Sequence, residues 1–310
     1  MAKSDDIFAL ARSALDRDRE SGLATLRRIM ATEPSNSTLK QRLQRLLEGQ
    51  KSRNLEPADG IRLDNGLEKC IQVHSPTHNL NQVVLTDDVR MRVADLLTEQ
   101  RHADALAAHN LHPRNRLLLM GPPGTGKTVL AGAIAKDLGL PFLVVDYGSL
   151  LSSFMGETGA KISRLLDGLA GQPCVLFLDE METLLAERSG SPGRHDVGEQ
   201  ARIVSTLLLA MDRMDRRLLL VGATNHPDML DRAVRRRFDI EIVLPLATED
   251  TVHALVKSLS ARYPGLPFPD FVPDQCQGRS IADLEREMLC RGREWVIQKA
   301  IPDHDLVTKE

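Results

Sequence analysis

The sequence has few aromatic residues, few cysteines and no long apolar run. Only 3% of its 310 residues are aromatic, and its four cysteines are scattered without a CxxC pair. This spacing suggests neither a disulfide framework nor a zinc site. No apolar run approaches the roughly 18–20 residues that a membrane-spanning helix needs. The N-terminus is too acidic and too poor in apolar residues for a signal peptide. We therefore expect a reduced, soluble, cytoplasmic protein with no membrane segment.

The chain also lacks an excess of charge of either sign. It carries 40 Lys+Arg against 43 Asp+Glu, a net charge of −3, in a composition that is 42% hydrophobic and 27% charged. These values are typical of globular proteins and exclude collagen-like, low-complexity and wholly disordered chains. They provide no overall electrostatic attraction for nucleic acid, although a local basic face stays possible. The length is typical of two domains.

Hydrophobic periodicity divides the chain into four regions. Residues 1–55 carry helical apolar stripes and predict a small N-terminal helical domain. Residues 56–82 contain Pro, Gly, Asn and Asp with weak periodicity, which predicts a linker with room for one short strand. In residues 83–246, short apolar runs alternate with helical stretches, whereas residues 247–310 are helical only. The last region therefore predicts a helical lid.

The alternating region predicts a parallel α/β sheet. Near-continuous apolar runs of about five residues are typical of strands that are buried on both faces. We therefore predict a parallel sheet of the P-loop nucleotide-hydrolase type, sandwiched by helices, with the small helical N-terminal domain before it and the lid after it. The runs are 116–120, 141–145, 174–178, 218–222 and 240–244.

A glycine-rich segment follows the first run. Residues 121–128 fit the pattern G-x-x-x-x-G-K-[ST] and precede an amphipathic stretch, so they have the strand–loop–helix context that the motif requires. Glycines let backbone N–H groups close around phosphate oxygens at the positive end of the next helix. Lys127 is expected to reach the β/γ-phosphates, and the Thr128 hydroxyl to bind Mg²⁺. The predicted binding residues are Gly121, Pro122, Pro123, Gly124, Thr125, Gly126, Lys127, Thr128 and Val129.

Two carboxylates follow another buried run. Asp179 and Glu180 come directly after 174–178, and ligands of open α/β sheets bind at the carboxyl ends of strands. Asp179 there can hold Mg²⁺ together with Thr128, and Glu180 can polarise an attacking water. The alternative is that the two carboxylates are a solvated pair at the start of a helix. The phosphate motif in the same chain makes this alternative weaker.

An asparagine and three arginines follow later strands. Asn225 closes Ala-Thr-Asn after 218–222 and can hold the lytic water, although Asn after a strand is also common in turns. Consecutive arginines at residues 235–237 are often only a solvated basic turn. In nucleotide hydrolases such residues also serve as arginine fingers, which contribute about 10³–10⁵ in rate. An arginine beyond its own sheet edge would face a neighbouring copy, which would require a ring.

Together these motifs resemble the AAA family of ATPases over about residues 83–300. The resemblance is most specific in VGATNHPDMLD at 221–231 and AVRRRFDIEIVLPL at 233–246, and the compact RRRF is similar to the katanin and spastin branch. It implies hydrolysis of Mg²⁺-bound ATP, with Asn225 as sensor 1. It also implies Arg235 and Arg236 as fingers acting in trans, and a structural Arg237.

Two further segments take a role only from this resemblance. Residues 280–285 resemble the helix whose start faces the nucleotide, which adds Ala282 to the binding residues, and Ile281-Ala282 stands where the wider family has a sensor-2 arginine. Phe154, Met155 and Gly156 resemble the pore loop that grips an extended polypeptide.

The resemblance implies a homo-oligomeric ring, with a hexamer expected, that remodels or unfolds protein clients by threading them through its pore. A nucleic-acid-linked ATPase helper is an alternative, favoured by arginines in residues 12–53 and 286–293 and disfavoured by the acidic net charge. A nucleotide-gated adaptor that switches a partner enzyme such as a protease is another. Residues 1–82 lie outside the resemblance. The layout is similar to compact bacterial AAA proteins found with subtilisin-like proteases in defence modules.

Overall fold

A six-stranded sheet with helices on both faces forms the main body of the protein, and two long helices follow its last strand. This computed structural model describes residues 61, 63, 66–151, 158–182 and 196–300. The predicted N-terminal domain and the predicted pore residues 154–156 lie outside these ranges.

The secondary structure alternates between strands and helices up to the last strand. Within the described ranges, no helix combines the length and the apolar character needed to cross a bilayer. The strands are β1 (Ile71–His74), β2 (Arg116–Met120), β3 (Phe142–Val145), β4 (Cys174–Leu178), β5 (Leu218–Thr224) and β6 (Ile240–Val243). The helices are α1 (Asp87–Arg101), α2 (Ala103–Ala107), α3 (Lys127–Leu138), α4 (Tyr147–Leu151), α5 (Thr158–Gly168), α6 (Asp196–Arg213), α7 (Arg232–Arg235), α8 (Glu249–Arg262) and α9 (Ile281–Ala300).

The strand order in the sheet is β1-β3-β4-β5-β2-β6. The five apolar runs identified in the sequence form β2 to β6, and each of these strands is parallel to its neighbours among the five. The prediction of a parallel α/β sheet is therefore confirmed. β1 adds an antiparallel edge strand, in which Ile71 lies opposite Val145. It falls within residues 56–82, where the sequence left room for a short strand.

The central strands are apolar on both sides because each side faces a different helical layer. Leu117 and Leu119 pack with α1 and α3 in one core, whereas Leu118 packs with α5 and α6 in the other. This alternation follows the two-residue period of a strand. All seven residues of β5 are buried. Continuous burial explains why β4 consists only of apolar residues and why β5 carries no polar residue before Thr224.

The two helices after β6 have a small core of their own. Thr248 caps α8 and forms a reciprocal capping box with Thr251, which fixes where the helix begins. Leu255 and Leu259 of α8 pack against Leu284 of α9. Within the described residues only helical segments follow β6.

Phe177 lies in the middle of the sheet and is fully buried against Phe142, with ring centroids 5.8 Å apart. We expect Phe177→Ala to lower the free energy of unfolding by about 3–5 kcal/mol, because it leaves a cavity that the sheet cannot close. Met91→Ala on α1 is the control, since Met91 is 62% exposed. Urea unfolding followed by circular dichroism measures both variants. Equal midpoints for the two would contradict this account of the core.

Candidate active site

The carboxyl ends of β2, β4 and β5 meet at one edge of the sheet. In the observed register, Met120 lies opposite Thr224, and Leu178 lies opposite Gly222. The glycine-rich loop, the Asp179–Glu180 pair and Asn225 each begin where one of these strands ends. Parallel pairing therefore brings three separate sequence motifs to one place.

A cavity of about 350 Å³ opens at this edge and collects most of the predicted site residues. Gly121 and Pro122 do not line it, but their carbonyl groups accept hydrogen bonds from the Lys127 ammonium. Arg235 and Arg236 do not line it either. The predicted residues that do line it are Pro123, Gly124, Thr125, Gly126, Lys127, Thr128, Val129, Asp179, Glu180, Asn225 and Ala282.

The loop between β2 and α3 has the conformation that a phosphate cradle needs. Gly121, Gly124 and Gly126 have φ angles of +145°, +74° and +97°. Residues that carry a side chain rarely adopt such backbone angles. The Lys127 ammonium lies inside the loop and donates to the Gly121 carbonyl at 2.6 Å and the Pro122 carbonyl at 2.9 Å. Burial lowers the pKa of Lys127, and the carboxylates that follow β4 oppose this shift. A bound polyphosphate would supply further negative charge and favour the protonated form.

Helix α9 begins against this loop. The Ala282 N–H donates to the Gly124 carbonyl at 3.1 Å. A Cβ at Gly124 would lie 2.7 Å from Ser280 Oγ, so the loop requires glycine for space as well as for its φ angle. Ser280 Oγ in turn accepts the Asp283 N–H at 3.1 Å, which caps the first turn of α9. The lid is thus bonded directly to the phosphate loop.

Thr128 and Asp179 fit a magnesium site. Thr128 Oγ1 donates to Asp179 Oδ2 at 2.9 Å, so the two predicted metal ligands already face each other. A hydroxyl and a carboxylate are the hard oxygen ligands that Mg²⁺ prefers. When bound, the ion would hold phosphate oxygens and offset their charge.

Glu180 has a strained backbone at the edge of the cavity. Its φ is +46°, which is uncommon for a residue with a side chain. Its N–H donates to Asp179 Oδ1 at 3.0 Å, and the residue is exposed along the cavity wall. Strain of this kind clusters at functional sites. The geometry is compatible with a carboxylate that receives a proton from water.

Two supporting residues were missed in the sequence. Glu182 Oε1 accepts the Asn225 N–H at 3.0 Å and so fixes the backbone of Asn225 after β5. Glu182 Oε2 and the Tyr147 hydroxyl are buried, and neither has a hydrogen-bond partner within the part of the chain that the structure describes. Burial, together with nearby carboxylates, holds the pKa of Tyr147 well above its ordinary value, so its hydroxyl stays protonated. A usable signal was that Glu182 and Tyr147 also lie just after strands.

The far end of the cavity is closed by the lid and by the segment after β1. Val83, Val84 and Leu255 provide an apolar surface there, which suits a flat nucleotide base. Ser258 Oγ donates to the Gln82 carbonyl at 3.4 Å. None of these residues belongs to a sequence motif, because they come together only when the chain folds.

Charged side chains reinforce this closure. Arg262 of α8 donates to His78 Nε2 at 3.2 Å and also forms an ion pair with Glu285 of α9. From the sequence alone, His78 is expected to be only a loop histidine. In the structure His78 lines the cavity, together with Arg262 and Glu285.

The three consecutive arginines lie outside the cavity in different surroundings. Arg235 makes a two-pronged ion pair with Glu241 of β6, with bonds of 2.7 and 2.5 Å. Arg237 pairs with Asp212 at the end of α6, at 3.2 Å. Arg236 is exposed, and no hydrogen bond or ion pair joins its side chain to another described residue.

Comparison with known proteins identifies the family. The profile of the "ATPase family associated with various cellular activities (AAA)" matches residues 117–246. The chain is also 32% identical over 284 residues to the uncharacterized AAA family ATPase y4kL of Sinorhizobium fredii, an alignment that covers 92% of this chain and 82% of that protein. The chain belongs to the AAA family of ATPases. It is therefore an ATP-binding hydrolase of a family whose members typically oligomerise.

Other relatives match this AAA ATPase over shorter parts. Zebrafish (Danio rerio) spastin is 40% identical over 157 residues, which cover 49% of this chain and 27% of spastin. Mouse (Mus musculus) nuclear valosin-containing protein-like is 33% identical over 222 residues, or 67% of this chain and 25% of that protein. The chain thus spans about a quarter of the length of these two relatives.

A solved structure and a second profile add evidence on the fold. The crystal structure of the FIGL-1 AAA domain matches with a TM-score of 0.58 at 22% identity, covering 82% of this chain and 85% of that one, which supports the AAA fold. A profile described as parvovirus non-structural protein NS1 matches residues 71–145. That range runs from β1 to β3 and includes the phosphate loop.

We expect Lys127→Met to weaken ATP binding by about 30- to 5,000-fold, because removing one partner of a buried charge pair costs about 2–5 kcal/mol and each 1.4 kcal/mol is about tenfold. Lys136→Met is the control, since Lys136 lies at the other end of α3 and donates to the Thr77 carbonyl. Titration with a fluorescent ATP analogue measures both. Similar affinities for the two variants would contradict the assignment of Lys127 to the phosphates.

Proposed function

We propose that this AAA ATPase forms a ring, with six subunits expected, that uses Mg²⁺-bound ATP to remodel or unfold protein clients by drawing them through a central pore. One observation carries the proposal of shared sites. Lys127 and Arg262 are the only Lys or Arg side chains among the described residues that line the cavity, and Arg262 lies at the base end in an ion pair with Glu285. A second cation for the phosphates is therefore expected from a neighbouring copy, whose arginines at 235–237 lie outside its own cavity and can supply it.

Within one subunit the roles follow from position. The phosphate loop and Lys127 hold the triphosphate, and Thr128 with Asp179 would hold the metal ion. Glu180 accepts a proton from the attacking water, for which its exposed position at the cavity wall provides access. Asn225 orients that water near the γ-phosphate. The bond from its N–H to Glu182 supports this role, because it keeps Asn225 in place without using its side chain.

Hydrolysis is coupled to movement of the lid in this proposal. The Ala282–Gly124 bond ties the start of α9 to the phosphate loop, and the Ser258–Gln82 bond ties α8 to the segment before α1. Loss of the γ-phosphate changes the charge held by that loop. Because the lid is bonded to the loop, we infer that this change shifts the lid relative to the sheet.

The client is a polypeptide in this proposal, held by Phe154, Met155 and Gly156. This role rests on the family resemblance, and the segment lies between α4 and α5, outside the described residues. Phe and Met offer apolar contact that tolerates many client sequences, which suits a pulling device. The acidic net charge of −3 supports a protein client over nucleic acid.

We expect Glu180→Gln to retain ATP binding, to accumulate rings and to lower hydrolysis by about 10²–10⁴, the usual contribution of a general base. Glu68→Gln is the control, because Glu68 is exposed beside β1 and lies away from the cavity. Phosphate release gives the rate, and electron microscopy with ATP shows the rings. Hydrolysis at the parental rate would show that the base is misassigned.

We expect an unfolded polypeptide to stimulate ATP hydrolysis several-fold. Phe154→Ala should lose this stimulation and Phe154→Tyr should retain it, since the aromatic ring supplies the contact. Rates with polypeptide, with DNA and without either measure this. Strong, salt-sensitive stimulation by DNA alone would instead favour the nucleic-acid-linked function. An unstimulated enzyme whose biological output survives Phe154→Ala but not Lys127→Ala would favour the adaptor function.

A further inference from the structure

The three consecutive arginines are not equivalent in this fold, and Arg235 is the most firmly held. Its Nε donates to Glu241 Oε1 at 2.7 Å and its Nη2 donates to Oε2 at 2.5 Å, so guanidinium and carboxylate form two parallel bonds. Such two-pronged pairs are stronger and more directional than single contacts. The pair also raises the pKa of Arg235 and lowers that of Glu241, as expected for a charge-assisted bond.

Arg237 is held on the other side of the same helix end. Its Nε and Nη2 lie 3.2 and 3.3 Å from the Asp212 carboxylate at the end of α6, and its Nη1 donates to the Ala233 carbonyl at 3.5 Å. Asp231 caps the start of α7 by accepting the Ala233 N–H at 2.6 Å. The short helix is therefore fixed at its start by a cap and at its end by β6 and α6.

Arg236 lies between these two anchored side chains. It is exposed, and among the described residues no hydrogen bond or ion pair involves its side chain. An arginine finger stabilises the transition state through its positive charge. This charge is most available when no carboxylate already forms an ion pair with the guanidinium. The charge of Arg236 meets this condition. The charge of Arg235 is already offset by Glu241, and moving Arg235 to a phosphate would break two bonds.

We propose that the arginines divide their work: Arg236 is the catalytic finger that enters the neighbouring subunit's ATP site, and Arg235 is a positioning residue that Glu241 holds within its own subunit. This rests on the proposed ring with shared sites. It departs from the family resemblance, which implies that both residues act in trans. It adds Glu241 as a residue that fixes α7 and so aims Arg236.

Single substitutions separate the two roles. Arg236→Ala lowers kcat by about 10³ or more, the usual contribution of a finger, with ATP binding retained. Arg235→Ala lowers kcat by about 10² or less, the size of effect that a misplaced catalytic group produces. Glu241→Gln lowers kcat in the same range, because it weakens the hold on Arg235. A parental kcat in Glu241→Gln, or equal losses in Arg235→Ala and Arg236→Ala, would overturn the division.

The exchange of charges within the pair is the decisive test. The double variant R235E/E241R rebuilds the ion pair, so its kcat exceeds that of R235E and of E241R if Arg235 only positions α7. Restoration is expected to be partial, because the exchange brings a carboxylate near Asp228 and a guanidinium near Arg92. A double variant no faster than either single variant would show that Arg235 itself is needed at the phosphates.

A matched variant separates the loss of any paired arginine from the loss of Arg235. Arg114 makes a similar two-pronged pair with Glu99, and the side chains of Arg114 and Arg235 are equally exposed, at 42% and 43%. Arg114→Ala therefore leaves kcat unchanged if pairing alone has no effect.

Mixing Arg236→Ala with Lys127→Ala subunits restores hydrolysis, because one variant supplies the binding site and the other the finger.

The outcomes distinguish this inference from the ring proposal. A parental kcat in Arg236→Ala, or a mixture that stays inactive, overturns the shared site and the division of roles with it. An inactive Arg236→Ala that is restored by mixing, together with a failed charge exchange, overturns the division alone.

Discussion

The chemistry of this protein depends on one packing constraint, the burial of its central strands on both faces. Leu117 to Leu119 of β2 alternate between two helical layers, and all of β5 is buried. Polar groups are therefore excluded from the buried stretches of β2, β4 and β5, and parallel pairing brings the carboxyl ends of these strands to one edge. The phosphate loop, Asp179 and Asn225 meet because each follows the carboxyl end of one of these strands.

A second feature is that the nucleotide cavity is built jointly by the sheet and the lid. Gly124 accepts a bond from Ala282, and its missing side chain makes room for Ser280. Val84 packs against the core of the lid, and Ser258 reaches back to Gln82. A nucleotide bound in this cavity would therefore contact both the sheet and the lid.

Carboxylates outside the motifs determine which functional groups are free to act. Glu182 holds the backbone of Asn225 and leaves its amide side chain available. Glu241 and Asp212 each bind one arginine after β5, and Arg236 remains exposed between them. In both places an acidic residue from another element fixes the surroundings of a catalytic candidate. The available chemistry is thus set by partners as much as by the motif residues.

The α/β fold, the five parallel strands and the loop from Gly121 to Thr128 were predictable from the amino-acid sequence, because apolar runs and glycine-rich loops are local patterns that one segment carries alone. The sequence also identified Asp179, Glu180 and Asn225, each of which closely follows a strand. Folding revealed the contacts of His78, Glu182 and Glu241, and it distinguished Arg235 from Arg236. The bonds of His78 and Glu182 join segments far apart in the chain, and the Arg235–Glu241 pair joins a short helix to the next strand. No local pattern encodes which charged side chains packing will bring together.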